Sequence, residues 1–597
     1  MRFPAKQLKS LPPTATGTRH VIYLRLVIVL CFSIALTAPL NAQPAAQTPI
    51  IDFGSRFLPE VASQGMVVGP EQLAAEIGLA VLQRGGNAVD AAVATGFALA
   101  VSYPRAGNLA GGGFMLVHLA EGNKQTLIDY RETAPAAAHP DLFLNEEGEV
   151  DRERAYFSHQ AAGVPGTVAG LVLAQERYGT LPLATVLAPA IALAESGLPV
   201  SFALNHEINA RAERLLMDPE ARRLFFKADG SPFAVGEIWR QPDLAWTLGQ
   251  IAQHGSKGFY EGEVAQRIAA NMAANGGLIT TADLAGYRAL ERTPVRGNFH
   301  GVEVVSTPPP SSGGVHIIQM LNILEGFDLK GMGHNSAAYL HHLAESMKLA
   351  YADRSRYLAD QDFQPVPVAE LTSKAYAERQ RALINPGRAT PAGEITPGQV
   401  LVDESRDTTH YTVADRFGNV VSNTYTLNFS FGSHIAVPGT GLLLNNEMAD
   451  FAARPGQPNP FGLVEGIANR IEPGKRPLSS MSPTMVFREG KPWLATGSPG
   501  GSLIITAVLQ TILNASVFDM NIATAAAGSR VHHQWLPDRL LVEEGISADT
   551  LRLLEEKGHK VDVAKRTLGR TQSIMLERGY LFGATDTRRP GGHVAGY

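Results

Sequence analysis

A threonine-rich stretch that begins at Thr408 contains residues that could carry out nucleophilic chemistry. A threonine hydroxyl is a weak nucleophile at neutral pH and needs a nearby base, which a threonine at a chain N-terminus has in its own α-amine. Thr408 gains such an amine only if the chain is cut after Asp407. β-Branched residues over 410–414 and 420–427, separated by Gly418-Asn419, predict a hairpin whose first strand begins at Thr408. Taken alone, a threonine pair here could also be ordinary strand sequence.

Three charged residues elsewhere in the chain are suited to binding charged groups. Arg131 ends a predicted strand, where a guanidinium can bind a carboxylate through two hydrogen bonds. Glu447 and Asp450 are three residues apart and could together hold an ammonium group. The residue types alone also allow simpler interpretations, a surface salt bridge for the arginine and two solvated acids for the pair.

Two segments of the C-terminal third offer further hydrogen-bond donors. Ser479 and Ser480 are adjacent and could be no more than a polar turn. Gly500 and Gly501 precede the apolar segment 503–513, which predicts a helix. Free amides at a helix N-terminus attract negative charge. These glycines could therefore form an oxyanion hole for acyl transfer, or could simply connect a turn to a helix.

Several predicted elements must position these groups. Helical spacing extends over residues 71–84, and Asn87 with Asp90 three residues later predicts the capping box of a second helix. A long helix is predicted over 335–360. Glycines 111–113 precede a strand but belong to no phosphate-loop motif, so we expect them to allow close backbone packing beneath a site.

The long helix contains His341, His342 and Glu345, three residues that could ligate a metal. Their spacing is not that of the His-Glu-x-x-His motif, and no second ligand cluster accompanies them in the sequence. We therefore predict a solvated helix face and no metal site.

Composition places the chain among globular proteins. Its 597 residues are 45% hydrophobic and 18% charged, enough apolar material for a large layered α/β fold. The net charge of −5 gives no reason to expect nucleic acid as a partner. The single cysteine, Cys31, lies in the N-terminal apolar segment, so a processed chain would have neither a disulfide nor a thiolate metal site.

Residues 1–42 are predicted to be a signal peptide. Basic residues precede the apolar run 26–36, and small residues follow near position 42. The run is shorter than a typical membrane span, although an uncleaved anchor is an alternative. We expect an exported protein, periplasmic in a Gram-negative source, without stable membrane association after signal cleavage.

The sequence from Thr408 reads Thr-Thr-His-Tyr-Thr-Val and continues to Thr-Tyr-Thr-Leu-Asn, which ends at Asn428, and to Phe431-Gly432. This pattern resembles the signature of the γ-glutamyltransferases, which are self-cleaving N-terminal-nucleophile hydrolases. The resemblance extends over nearly all of the chain after the signal peptide. It implies an α/β fold of four layers, an αββα sandwich. It also implies a cut between Asp407 and Thr408, which yields a large subunit (43–407) and a small catalytic subunit (408–597).

The same resemblance assigns roles to the residues singled out above. Arg131, Ser479 and Ser480 would hold the substrate α-carboxylate, and Glu447 and Asp450 the α-amino group. The remaining roles implied are Thr408 as nucleophile, Thr426 as its orienting partner, Gly500 and Gly501 as oxyanion hole, and Asn428 as a further substrate contact.

Residues 454–473, rich in Pro, Gly and Asn, resemble the lid loop of many bacterial members. In those enzymes a lid tyrosine often bonds the residue that matches Asn428. This chain has Phe461 there, which can cover the pocket but cannot donate that hydrogen bond.

The family resemblance implies cleavage of glutathione and related γ-glutamyl donors, with water or an amino acid or peptide as acceptor and with no metal or organic cofactor. Two relatives on the same fold are alternatives, a glutaryl-cephalosporin acylase and a poly-γ-glutamate hydrolase. An exported binding protein that never matures is the alternative from another class. Retention of both the carboxylate-binding and the ammonium-binding residues favours γ-glutamyl substrates.

Overall fold

The hairpin predicted after Thr408 lies at the centre of the fold. The computed structural model describes residues 57–395, 408–459 and 462–597. The hairpin strands, Thr409–Asp415 and Val420–Thr426, pair antiparallel with Thr409 opposite Tyr425. Gly418 in the turn has a φ of +86°, a conformation that glycine adopts without steric penalty. The predicted hairpin is confirmed.

Both hairpin strands are inner strands of a seven-stranded antiparallel sheet, sheet I. Strands from the part of the chain before Asp407 flank them on both sides, so backbone hydrogen bonds hold the regions before and after the predicted cut together. In order across sheet I the strands are His593–Gly596, Gly65–Gly69, Thr409–Asp415, Val420–Thr426, Gly112–Leu119, Lys124–Asp129 and Leu290–Arg292.

A second seven-stranded antiparallel sheet, sheet II, packs against the first. Apolar side chains of both sheets form one core, and hydrogen bonds cross it, for example from the Thr412 hydroxyl to the Gln572 carbonyl (2.9 Å). In order across sheet II the strands are Glu60–Ala62, Tyr580–Thr585, Gln572–Glu577, Lys491–Gly497, Thr484–Arg488, Val302–Ser306 and Val295–Phe299.

Helices cover the outer face of each sheet. Their buried apolar residues form one core with sheet I and another with sheet II. The fold is therefore the αββα sandwich that was predicted. The helices on the sheet I side are Gln72–Gln83, Ala88–Ser102, Thr167–Tyr178, Leu183–Ser196 and Pro242–His254, and those on the sheet II side are Gly313–Leu324, Ala337–Tyr357, Leu503–Ser516 and Ile522–Ala527.

Further helices and small sheets surround these layers in the described part of the chain. The further helices are Arg152–Phe157, Phe202–Ala210, Ala212–Leu215, Pro219–Phe225, Lys257–Tyr260, Gly262–Ala274, Thr281–Gly286, Leu329–Met332, Val368–Leu371, Lys374–Arg381 and Ala548–Glu556. Small sheets pair Leu198–Pro199 with Ile238–Trp239, Ala436–Val437 with Leu442–Leu443, and Leu540–Glu543 with both Val531–His532 and Val561–Ala564.

The helix beginnings follow the capping signals in the sequence. The Asn87 side chain accepts hydrogen bonds from the amides of Val89 and Asp90, and the Asp90 carboxylate accepts one from the Asn87 amide, which completes the predicted capping box. Such a cap contributes about 1 kcal/mol to helix stability. This helix packs directly on the central hairpin and thereby supports its position.

Candidate active site

Thr408 immediately precedes the first hairpin strand and is 8% exposed. Because Thr409 lies opposite Tyr425, the next position along the ladder brings Thr408 beside Thr426, and both residues line the same pocket. The Thr426 hydroxyl accepts a hydrogen bond from the backbone N–H of Asn428 (2.8 Å), and this bond fixes the position of the hydroxyl. The two threonines predicted to act together are thus brought together.

The glycine run 111–113 leads into the strand Gly112–Leu119, which lies beside this end of the hairpin in sheet I. A Cβ atom on Gly111 would lie 1.9 Å from the Thr426 carbonyl oxygen, and one on Gly113 would lie 2.4 Å from that of Thr424. Only residues without a side chain fit at this distance. The expectation that these glycines allow close backbone packing is confirmed, although they lie beside the hairpin rather than beneath it.

The glycine pair predicted to form the oxyanion hole opens the helix Leu503–Ser516. Gly500 and Gly501 have φ angles of +135° and +55°. Gly501 lines the pocket that contains Thr408. Since amides at the start of a helix carry a partial positive charge, this end of the pocket is suited to stabilising a negatively charged oxygen.

Arg131 is completely buried and lies between two carboxylates. One guanidinium nitrogen, Nη1, pairs with Glu447, and the other, Nη2, lies 2.5 Å from Asp450 Oδ2. Nε donates to the Pro477 carbonyl oxygen (3.1 Å). Glu447 and Asp450 belong to one 3₁₀ turn, whose three-residue period places both side chains on the same side. The alternatives of a surface salt bridge and of two solvated acids are therefore wrong.

The cluster around Arg131 contains more acidic groups than basic ones. Glu132, also fully buried, lies 3.4 Å from the same guanidinium, so three carboxylates surround one cation. Burial raises the pKa of Glu132 to about 8, although the positive charge of Arg131 opposes this shift. Burial also raises the pKa values of Glu447 and Asp450, again against the effect of Arg131. An additional cationic group would stabilise this arrangement.

Asn428 connects the hairpin to the carboxylate cluster. It has a φ of +76°, and its Nδ2 donates to Asp450 Oδ1 (3.1 Å) and to the Asn446 carbonyl oxygen (3.0 Å). The residue two positions after Thr426 thus holds the orientation of Asp450.

Ser479 and Ser480 line the same pocket and are nearly buried. The Ser479 hydroxyl oxygen accepts a hydrogen bond from the Met481 amide (3.1 Å). Because that lone pair is engaged, the hydroxyl hydrogen can be donated to an acceptor such as a carboxylate. The pocket therefore combines Arg131 and two serines with Thr408 and Gly501 in one lining.

Sequence reasoning missed Arg354 and Glu465. Arg354 lines the pocket from the long helix Ala337–Tyr357, and its Nη1 lies 2.5 Å from Glu465 Oε1. Both side chains are buried. In the sequence, an arginine near a helix end resembles an ordinary surface residue. The one signal for this ion pair was an acidic residue, Glu465, within the predicted lid loop.

The long helix is buried rather than solvated around its histidines, so that prediction is wrong. His341, His342 and Glu345 are each at most 5% exposed because the helix lies between other elements. Atoms of His341, Glu345 and His559 lie within 4.8 Å of one another. However, His341 Nδ1 is hydrogen-bonded to His559 Nε2 (2.8 Å), and the ammonium of Lys348 lies 2.5 Å from the Glu345 carboxylate. Protein groups thus satisfy these side chains.

Three predictions lie outside the described residues. These are the signal peptide, Asp407 at the predicted cut, and Phe461 in the predicted lid loop. Among the residues that the structure describes, no helix is long and apolar enough to cross a membrane.

The fold and the threonine at the start of a central strand are those of the N-terminal-nucleophile hydrolases. A family model described as Gamma-glutamyltranspeptidase matches residues 74–596. The Glutathione hydrolase proenzyme of Escherichia coli (strain K12) is 49% identical over 586 residues, which cover 98% of this chain and 99% of that protein. The chain belongs to the γ-glutamyltranspeptidase family, and the prediction of a γ-glutamyltransferase enzyme is confirmed.

Acylases are also similar to this chain. The Acylase ACY 1 proenzyme of Pseudomonas sp. (strain V22) is 40% identical, covering 92% of this chain and 97% of that protein. The crystal structure of a cephalosporin acylase from Bacillus halodurans superposes with a TM-score of 0.80 at 30% identity, covering 92% of this chain and 98% of that one. Proteins described as glutathione hydrolases and as acylases therefore share this fold, so the fold alone does not decide the substrate.

Proposed function

We propose that this γ-glutamyltransferase cuts itself before Thr408 and then uses Thr408 to cleave γ-glutamyl amides such as glutathione. The observation that carries the proposal is the pocket itself, in which Thr408 and Gly501 share one cavity with Arg131, Glu447 and Asp450. A nucleophile and a site for a zwitterion thus lie within the reach of one small substrate.

In the proposed self-cleavage, the Thr408 hydroxyl oxygen attacks the carbonyl carbon of Asp407. The peptide bond becomes an ester, and water then hydrolyses the ester. Asp407 is left with a carboxylate, and Thr408 with a free α-amine. This amine is the base that the isolated hydroxyl lacks. The relatives described as proenzymes support this step.

In the proposed acyl transfer, the Thr408 hydroxyl loses its proton to the α-amine and attacks the γ-carbonyl carbon of the donor. Gly500 and Gly501 stabilise the resulting oxyanion, and Thr426 orients the attacking hydroxyl. Collapse of the intermediate expels the amine of the donor with a proton and leaves a γ-glutamyl ester on Thr408. Water, or the amino group of an amino acid or peptide, then takes up the acyl group.

The charges of the pocket favour a γ-glutamyl group. Its α-carboxylate would take the place of the acidic side chains at Arg131 and receive hydrogen bonds from Ser479 and Ser480. Its α-ammonium would pair with the displaced Glu447 and Asp450. Because this substrate end is a zwitterion, it adds no net charge to a buried cluster in which three acidic side chains already share one guanidinium.

A glutaryl group, as in the acylase alternative, fits this cluster less well. It supplies a carboxylate without an ammonium, so its binding would add a negative charge and leave Glu447 and Asp450 without a cationic partner. Unpaired buried groups of this kind reduce binding strongly. We therefore favour γ-glutamyl donors over glutaryl donors. For the cellular setting we propose export to the periplasm through residues 1–42.

The test is a comparison of γ-glutamyl-p-nitroanilide and glutaryl-p-nitroanilide as donors for the purified, processed enzyme. The proposal expects kcat/KM for the γ-glutamyl donor to exceed that for the glutaryl donor by roughly a hundredfold or more, the effect of one unpaired buried charge. Glutathione should compete with the preferred donor. Equal or inverted preference would refute the proposed substrate class.

A further inference from the structure

Arg354 connects three separate segments that surround the pocket. Its Nε donates to the Ser312 hydroxyl (2.9 Å), its Nη1 pairs with Glu465 (2.5 Å), and its Nη2 lies 3.5 Å from the Ser480 hydroxyl oxygen. Arg354 is 2% exposed, and each of these three partners is buried as well. A rigid planar guanidinium with this pattern of contacts fixes the relative positions of the groups it binds.

The contact with Ser480 uses the hydroxyl oxygen as an acceptor. A guanidinium can only donate, so the Ser480 oxygen is the acceptor in this contact. The hydroxyl hydrogen is then available for an acceptor in the pocket. A carboxylate only accepts hydrogen bonds, which matches a hydroxyl held in this orientation.

Arg354 also influences the position of Ser479, through Ser312. The Ser312 hydroxyl accepts from Arg354 and donates to the Ser479 carbonyl oxygen (2.9 Å), to which the Ser312 amide also donates (2.9 Å). Arg354 therefore acts on both residues of the serine pair, on Ser480 directly and on the backbone of Ser479 through one relay.

The contact with Glu465 joins the serine pair to a further segment that lines the pocket. Glu465 lies in the segment 454–473, and its carbonyl oxygen accepts a hydrogen bond from the Gly456 amide (2.9 Å). Asn459 and Leu463 of the same segment line the pocket. One side chain thus connects the predicted donors for a carboxylate to a segment that contributes other lining residues of the pocket.

We propose that Arg354 is a positioning residue that sets affinity for the α-carboxylate of the donor through Ser480 and Ser479. The inference rests on the proposed function and extends it to a residue outside the predicted site. A purely structural ion pair with Glu465 would affect all donors alike. A positioning role predicts a selective effect on donors that carry this carboxylate.

The experiment compares wild type and Arg354→Lys with three p-nitroanilides. The γ-glutamyl donor has both α-substituents, the glutaryl donor keeps only the carboxylate, and the 4-aminobutyryl donor keeps only the ammonium. Lysine keeps the charge but cannot make three directed hydrogen bonds. We expect kcat/KM for the first two donors to fall roughly tenfold to a hundredfold, mainly through KM, and that for the 4-aminobutyryl donor to change less than about twofold.

Three controls make the result interpretable. Arg381→Lys alters a half-buried guanidinium that instead bonds the backbone of Asn322 and Ile323, and it should change none of the three values. If Arg354→Lys is not processed into two chains, Ser312→Ala removes the relay while leaving the ion pair, and it should show the same selectivity. In a Ser480→Ala background, Arg354→Lys should have a smaller effect than in wild type because the two residues act together.

An equal loss with all three donors, or no loss with any, would overturn the role of Arg354. A wild type that is inactive toward the γ-glutamyl donor would instead refute the proposed function, so the two failures are distinguishable.

Discussion

The guanidinium of Arg131 and the carboxylate of Asp450 lie 2.5 Å apart although 319 positions separate them in the chain. Under the proposed cut they belong to different subunits. The pocket is therefore assembled from both, and neither subunit alone would contain the paired charges. The groups predicted to hold the carboxylate and the ammonium bind each other, so a zwitterion can replace both partners.

Replacement of Thr408 tests the proposed nucleophile. We expect Thr408→Ala to remain a single chain and to lose activity by roughly 10³-fold or more, because both the hydroxyl and the α-amine are lost. Thr408→Ser keeps a hydroxyl and should still yield two chains. Intact mass and N-terminal sequence measure both outcomes, and a Thr408→Ala protein cut at the same position would contradict the prediction.

Neutralising the ammonium site should weaken donor binding. We expect Asp450→Asn to reduce kcat/KM for γ-glutamyl-p-nitroanilide roughly tenfold to a hundredfold, since one charge-assisted hydrogen bond is lost. The reduction should be smaller for the glutaryl donor, which has no ammonium. Glu121→Gln, a change at an exposed acid, is the matched control. Similar losses for both donors would argue against an ammonium site at Asp450.

Glu132 should make stability depend on pH. Its pKa is raised from 4.5 to about 8 in the folded protein, so the folded state binds this proton more tightly than the unfolded state between those values. Its contribution to stability therefore decreases as pH rises through this window. Glu132→Gln, which cannot ionise, should lose less stability than wild type between pH 6 and pH 9. In a chain of this size, ~1–2 kcal/mol corresponds to a difference in Tm of about 1–2 °C.

Thermal unfolding at both pH values measures this difference. Glu121→Gln, again at an exposed site, should reproduce the wild-type pH dependence. Parallel curves for wild type and Glu132→Gln would show that Glu132 ionises as an ordinary carboxyl group.

A side chain at Gly501 should impair the chemical step. Gly501 has a φ of +55°, so an alanine there would strain the backbone at the proposed oxyanion hole. We expect Gly501→Ala to lower kcat by about 10²–10³ with little change in KM. Gly490→Ala introduces an alanine at a comparable φ of +74° in an exposed turn and should leave kcat unchanged. A KM effect without a kcat effect would mean that the amide of Gly501 does not stabilise the transition state.

Short-range features could be predicted from the sequence because neighbouring residues decide them. The hairpin after Thr408, the capping box at Asn87 and the helix after Gly501 depend on local propensity and hydrogen bonding within a few residues. The family signature then indicated the αββα sandwich and most of the pocket, including both Arg131 and the Glu447–Asp450 pair.

Burial and long-range partners were decided only by the tertiary structure. Their spacing on a helix indicated that His341 and Glu345 share a face. Whether that face is exposed to solvent depends on elements from distant parts of the chain that pack against it. Likewise Arg354 becomes part of the pocket because Ser312, Ser480 and Glu465 converge on it from three segments. The sequence by itself determined which nucleophilic, acidic and basic side chains the protein has. Tertiary packing decided which of them are buried and which charges must pair, because desolvation depends on every neighbour in space.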